Sequence, residues 1–230
     1  MKFRLFFWFL LSLHGREVSS NGKIKRFIIL MLENRSFDHT LGFLKKQNSD
    51  IDGCLPGEEG CTNKLDPNES SESFTLLDNA GNVVINTKHS IKESTLQVYG
   101  YYDPVPDGTS PTMNGFIKSY TSANPDPSQI MQCFTPEHLP IMTTLVQEFG
   151  VFDGWHASVP GPTMVNRAYA FSATSNGMGT NDVETIFRGL PQKSMFRQAL
   201  DMGLDIGVYF SDGPTTIQMK DMRSREVLHK

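Results

Sequence analysis

At 230 residues with 38% hydrophobic side chains, the chain has the size of one large α/β domain or two small ones and can bury a sizeable core. Its formal net charge of -4 is spread without a basic block or an acidic tail. That pattern excludes a polybasic nucleic-acid binder and a disordered acidic segment.

The N-terminus reads as a secretory signal. Lys2 and Arg4 precede the apolar run LFFWFLLSL, which is too short to span a bilayer as a helix. Val18 and Ser20 fit the small-residue pattern before a cleavage site, so residues 1–20 are expected to be removed and residues 21–230 secreted. An uncleaved anchor or a buried first strand are the alternatives. In an oxidising compartment Cys54 and Cys61, which bracket the turn-rich LPGEEG, are expected to pair, leaving Cys133 as a small buried residue. Asn68 lies in an Asn-Glu-Ser sequon in a polar loop. Asn34 lies in Asn-Arg-Ser, formally a second sequon, and is expected to be unmodified.

Residues 24–32, continuously apolar from Phe27, predict a buried strand. From Ser36 the residues Phe37, Leu41 and Leu44 recur at helical spacing, with Ser36 as N-cap. Glu33 and Asn34 therefore stand at the carboxyl end of a strand just before a helix, where open α/β sheets hold their ligands. Residues 47–83 and 99–115 are rich in breakers and predict loops, the first with a short hairpin around Asn79–Asn82. PEHLPIMTTLVQEF predicts an amphipathic helix with Ile141, Met142 and Leu145 in its core face, and VFDGW a short strand with His156 packed behind it. After the breaker SVPGPT come helices in TMVNRAYAFSAT and KSMFRQALDMG, the latter stopped by Gly203, then a strand in LDIGVYF. Alternating strands and helices predict an α/β fold with a mainly parallel, doubly wound sheet.

Two polar clusters interrupt this scaffold, ENRSFDH and HASVPGPTMVNR. The first offers a carboxylate and an amide oxygen, both hard ligands for a divalent cation. The second puts Thr163 at a helix start, where free N–H groups and the dipole favour an anion. A hydroxyl there can attack phosphorus if a metal lowers its pKa. Asn166 and Arg167 follow one turn on, within reach of phosphate oxygens. Taken singly, each junction also reads as a turn before a capped helix. Their occurrence together favours a site. His39, at the start of the first helix, is a further candidate for substrate contact.

ENRSFDH after an apolar strand, together with EHLPIMTTLVQEFGVFDGWHASVPGPTMVNRAYAFSATSNG, resembles the two signatures of the phosphoesterase family that contains non-specific phospholipases C and some bacterial acid phosphatases. The resemblance runs from residue 27 to residue 210 and is weakest across 54–110. It implies an alkaline-phosphatase-like fold. Glu33 and Asn34 match the ligand pair for a divalent metal ion whose identity stays open. Thr163 matches the nucleophile of the Gly-Pro-Thr-x-x-Asn-Arg motif, and Asn166 a residue near the phosphate. The implied reaction is attack by Thr163 on phosphorus, then hydrolysis of a phospho-threonine intermediate. The implied partner is a phosphoester or phospholipid substrate, with transient membrane contact.

The sequence departs from the family pattern in two places. Asp103 and Pro104 are not followed by the histidine of an Asp-Pro-x-His motif, and no Asp-Glu-x-Gly-Gly segment with its acidic ligands is present. Residues 21–230 are therefore expected to form a truncated, N-terminal part of a phosphoesterase catalytic domain, with an uncovered apolar sheet edge. Three functions remain open at this level: phospholipase C-type hydrolysis, acid phosphatase-type hydrolysis of monoesters, and a non-catalytic secreted fragment.

Overall fold

The computed structural model describes residues 25–33, 35–81 and 87–223, so the expected signal peptide lies outside the described residues. These residues fall into two compact units, one built from 35–160 and the other from 25–33 with 161–223.

The first unit begins at Ser36, whose Oγ accepts the backbone N–H of His39 at 3.2 Å and so caps α1 (Phe37–Leu41). The helix tightens into a 3₁₀ turn, Gly42–Lys46, and Phe37, Leu41, Phe43 and Leu44 make one buried cluster. The expected disulfide Cys54–Cys61 is present. Just beyond it, β1 (Thr62–Lys64) pairs antiparallel with β2 (Ser73–Thr75), matching Asn63 with Phe74. Asn63 is fully buried and ties this sheet to the next helix, because its Oδ1 accepts the N–H of Phe116 at 3.1 Å.

α2 (Ile91–Tyr99) is capped by Ser90 and ended by Gly100 in the left-handed region. It packs on α3 (Phe116–Thr121), which brings Phe116, Ile117 and Tyr120 into a second cluster with Leu76, Ile130, Met131 and Cys133. The Cys133 thiol is pushed up to about 12 by burial, which leaves it an inert apolar group at neutral pH. Glu93 of α2 is buried but compensated. It accepts from the Ser119 hydroxyl at 2.6 Å and the Tyr102 hydroxyl at 3.3 Å, with the Lys88 ammonium 3.9 Å away.

α4 (Pro140–Glu148) closes the unit by laying Met142 and Val146 against the first cluster. This corrects the expected core face. Ile141 is 76% exposed and Phe149 85% exposed, with Leu145 also outward. The helix carries apolar residues on two faces, and the α1 cluster covers the Met142–Val146 face. His156 is likewise exposed rather than packed.

His39 is buried in this unit with both ring nitrogens engaged. Nε2 lies 2.6 Å from the Ile130 carbonyl and Nδ1 2.7 Å from Ser36 Oγ. A carbonyl only accepts, so the neutral ring carries its proton on Nε2 and Nδ1 accepts from the serine hydroxyl. Burial lowers the pKa of His39 from 6.5 to about 4; the Ile130 carbonyl opposes this and the Arg35 charge adds to it.

The second unit is built on α5 (Thr163–Ser172), α6 (Val183–Arg188) and α7 (Met195–Asp201). Phe171 of α5 and Phe196 of α7 meet edge to face with ring centroids 5.0 Å apart. Leu190 bridges to Met219 in parallel sense. Arg223 holds the end of α6 by donating at 2.7 Å to the carbonyls of Ile186, Phe187 and Ile217, where the helix dipole favours a cation. Gly203, at φ +77°, stands just past the end of α7, as its sequence position indicated.

The mixture of helix and strand is of the α/β kind, but the mainly parallel sheet is not seen among the described residues. Among these are the antiparallel β1–β2 pair and the isolated parallel bridges Leu77–Gln132 and Leu190–Met219. The described part of 24–32, and the segments 151–155 and 204–210, are not strands, and Phe27 is 56% exposed. The physical reason is non-local. An apolar β-branched run becomes a strand only when another strand satisfies its N–H and C=O groups. Conversely, β1 and β2 arise inside a stretch that reads as loop, because three residues are too few to show a period of two.

Two stability predictions follow from the first unit's packing. At Gly115 an added Cβ would lie 1.9 Å from the Leu96 carbonyl oxygen, whereas at Gly150 it would meet nothing within 4 Å. Gly115→Ala should therefore cost more than about 2 kcal/mol in urea unfolding, and Gly150→Ala less than about 0.5 kcal/mol. For His39 the unfolded ring titrates near 6.5 and the folded ring near 4. Between these values the unfolded chain binds more protons. The stabilisation is thus complete above pH 6.5 and is lost as pH falls toward 4, by about 3 kcal/mol in all. Unfolding free energies at pH 7 and pH 4 should show this loss in the native chain, and a shallower pH dependence in His39→Gln.

Candidate functional site

Four of the six candidate residues, Glu33, Thr163, Asn166 and Arg167, belong to the second unit. His39 belongs to the first, as a buried ring bonded to its own unit's Ser36 and Ile130. Asn34 lies outside the described residues.

The local geometry around Thr163 follows from its neighbours. Pro162, with φ -77° and ψ 168°, is extended and occupies the cap position, so the helix starts at Thr163. Proline offers no side-chain oxygen to cap the first turn. Part of that task falls to Asn181, whose Oδ1 accepts the Met164 N–H at 2.9 Å. Asn166 secures the turn from the other side. Its Nδ2 donates to the Gly161 carbonyl at 3.0 Å and the Pro162 carbonyl at 3.3 Å, and its side chain is buried. Asn166 thus acts on Thr163 by fixing the loop that leads into it. Thr163 itself is half-buried. The helix that it opens runs 10 residues and presents the positive end of its dipole there.

One turn after Thr163, the Arg167 guanidinium grips Glu33. Nε donates to Oε1 at 2.5 Å and Nη2 donates to Oε2, a two-pronged ion pair. The side chains are only 15% and 13% exposed, so the pair sits mostly out of water. Two residues expected in different roles, one toward a metal and one toward substrate, thus neutralise each other. Nothing local in the sequence foretells this, because the partners are 134 positions apart. Asn181 was missed for the same reason: its link to α5 spans 17 positions across a loop.

The metal expectation can be tested against these donors. A hard divalent cation takes about six to eight oxygen ligands, several of them anionic. Both Glu33 oxygens are engaged by Arg167, and among the described residues no group of three or more His, Cys, Asp or Glu side chains could hold a metal ion. The described residues do not fit such a cation. Two open depressions lie elsewhere. One, of about 440 Å³, is lined by Tyr169, Phe171, Lys193 and Met195 among others, and one, of about 560 Å³, by Leu44, Ile51, Val146 and Asp153 among others. None of the five described candidates lines either.

Comparison with known proteins bears on what this arrangement serves. The model of the phosphoesterase family matches residues 24–227. Non-specific phospholipase C1 of Arabidopsis thaliana is 40% identical over 210 residues, which are 91% of this chain and 38% of the relative. Non-specific phospholipase C3 of the same plant is 38% identical over 214 residues, 89% of this chain and 40% of the relative. Phospholipase C A of Mycobacterium tuberculosis is 29% identical over 202 residues, covering 83% of this chain and 38% of the relative. The chain thus spans about two fifths of the length of the relatives that it matches. The family match takes in both polar junctions and all six candidates, and on that footing the chain belongs to the phosphoesterase family.

Proposed function

We propose that this chain supplies the nucleophile-bearing part of a secreted phosphoester hydrolase with phospholipase C-type activity, within an alkaline-phosphatase-like α/β domain. The observation that carries the reading is the start of α5. A threonine hydroxyl opens the helix, a buried asparagine pins the two carbonyls before it, and a guanidinium follows one turn later. The family model spans this stretch, and relatives named phospholipase C match most of the chain.

In this reading Thr163 Oγ1 forms a bond to phosphorus, and the bond from phosphorus to the diacylglycerol oxygen breaks. Diacylglycerol leaves with a proton, and the headgroup phosphate stays on the threonine. Water then cleaves the threonine–phosphorus bond and releases the phosphorylated headgroup. The helix N-terminus favours the phosphoryl oxygens electrostatically. Asn166 keeps the nucleophile's backbone in place.

The test is hydrolysis of a chromogenic phosphocholine diester by purified residues 21–230, with and without added Mg²⁺, Mn²⁺ and Zn²⁺. Thr163→Ala should lower the rate by more than about 10³-fold, while its circular dichroism spectrum stays native, and Thr163→Ser should keep measurable turnover. Equal rates in the native chain and Thr163→Ala would remove Thr163 from the chemistry. Faster cleavage of a chromogenic phosphomonoester than of the diester would move the substrate class to monoesters.

A further inference from the structure

One motif stands apart from the candidate site. Asn68, in the sequence Asn-Glu-Ser, lies in the turn that joins β1 to β2, and Asn68, Glu69 and Ser70 are all exposed. Other residues hold that turn in shape. The Leu65 N–H donates to the Glu72 carbonyl at 2.9 Å. The Asp66 carboxylate accepts the Asn68 backbone N–H at 3.0 Å and the Lys118 ammonium at 2.6 Å. The Asn68 side chain makes a further link: Nδ2 donates at 2.7 Å to the carbonyl of Gly100, which ends α2. An asparagine amide carries two N–H donors, and this link needs only one of them. The second sequon differs. In Asn-Arg-Ser the hydroxyl belongs to Ser36, which is buried and bonded to both the backbone N–H and the ring of His39. Shortly before Asn68, Cys61 closes its disulfide with Cys54. A compartment that oxidises such a pair is the one in which exposed Asn-x-Ser sequons meet their glycan donor.

We propose that Asn68 is an N-glycosylation site of this chain and that Asn34 is not. This rests on the secretory reading of residues 1–20 and is independent of the chemistry of Thr163. The donor is an oligosaccharide carried on a polyprenyl diphosphate. Asn68 Nδ2 forms a bond to C1 of the first sugar. The bond from C1 to the diphosphate oxygen breaks, its electron pair leaves with the diphosphate, and Nδ2 gives up one proton. The product is a secondary amide that still has one N–H, and that N–H keeps the Gly100 carbonyl. The glycan therefore costs the fold no hydrogen bond. A glycan is bulky and strongly hydrated, so it needs a place open to water, which the β1–β2 turn provides. The Ser70 hydroxyl completes the acceptor motif there. At the other sequon, the folding of α1 takes the Ser36 hydroxyl out of reach.

The test is expression of the full chain, residues 1–230, in cultured eukaryotic cells, followed by digestion with a glycan-removing amidase. The native chain should run as a glycoform that falls to the bare mass on digestion. In heavy-oxygen water the amidase turns each glycosylated asparagine into labelled aspartate, and peptide mass spectrometry should find the label at Asn68 and not at Asn34. Asn68→Gln should lose the glycan entirely, and Asn34→Gln should keep it. Ser70→Ala should lose it as well, with the Asn68 amide and its Gly100 link left in place, so the result stands even if Asn68→Gln does not fold. Ser70→Thr, which keeps the hydroxyl, should retain the glycan. A chain secreted bare, or labelled at Asn34 in place of Asn68 or beside it, overturns the proposal and leaves the secretory reading standing. A bare chain recovered from the cytosol overturns both. Neither result bears on the loss of turnover expected in Thr163→Ala.

Discussion

The amide of Asn166 is the constraint on which the candidate site depends. The Pro162 carbonyl already accepts the Asn166 backbone N–H at 3.2 Å, and the Gly161 carbonyl precedes it in a breaker loop. The amide draws both onto the first turn of α5 at 3.0 and 3.3 Å. With the loop held, Thr163 becomes the first helical residue, Met164 offers its N–H to Asn181, and Arg167 is carried to the position from which it reaches Glu33. A buried, hydrogen-bonded amide is costly to leave unpaired, so this loop has one good arrangement rather than several. Asparagine also suits the place chemically. It donates without adding a charge, and so leaves the helix start electropositive.

What could be read from the sequence was what local signals encode. Ser36 as a cap, Thr163 at a helix start and Gly203 as a stop each depend on neighbours within four residues, and the structure has all three. Phe37, Leu41 and Leu44 were legible as core because helical spacing needs no distant partner. The Cys54–Cys61 pair closes over a turn of six residues and was legible for the same reason. The expected strands failed at the opposite pole, since a parallel strand is defined by its neighbours in space. The segment 25–32 has the composition of a strand, and composition alone does not supply a ladder. On α4 the periodicity was visible, but two apolar faces compete, and only the packing of Met142 and Val146 on the α1 cluster decides between them.

The candidate residues show the same division. That Thr163 begins a helix is local. That Asn166 turns back onto the loop rather than out toward a ligand is a matter of rotamer and burial, on which sequence is silent. His39 illustrates the cost of reading a histidine by its neighbours in sequence. Its place in ENRSFDH made it a candidate for substrate contact, whereas burial and the Ile130 carbonyl, 91 positions away, make it a neutral strut. Glu33 and Arg167 looked like two independent groups because nothing within either motif names the other.

A carboxylate can be neutralised by a bound cation or by a tethered one, and the two choices differ physically. A bound cation must be gathered from solution and stripped of water, so its occupancy follows its concentration. The Arg167 guanidinium is always charged and is carried by α5, so its pairing with Glu33 does not depend on a concentration in solution. Its planar fork also remembers the shape of the ligand it holds, and that shape is shared by phosphate. Tethering therefore keeps the guanidinium aligned and Glu33 neutralised with no ligand gathered from solution.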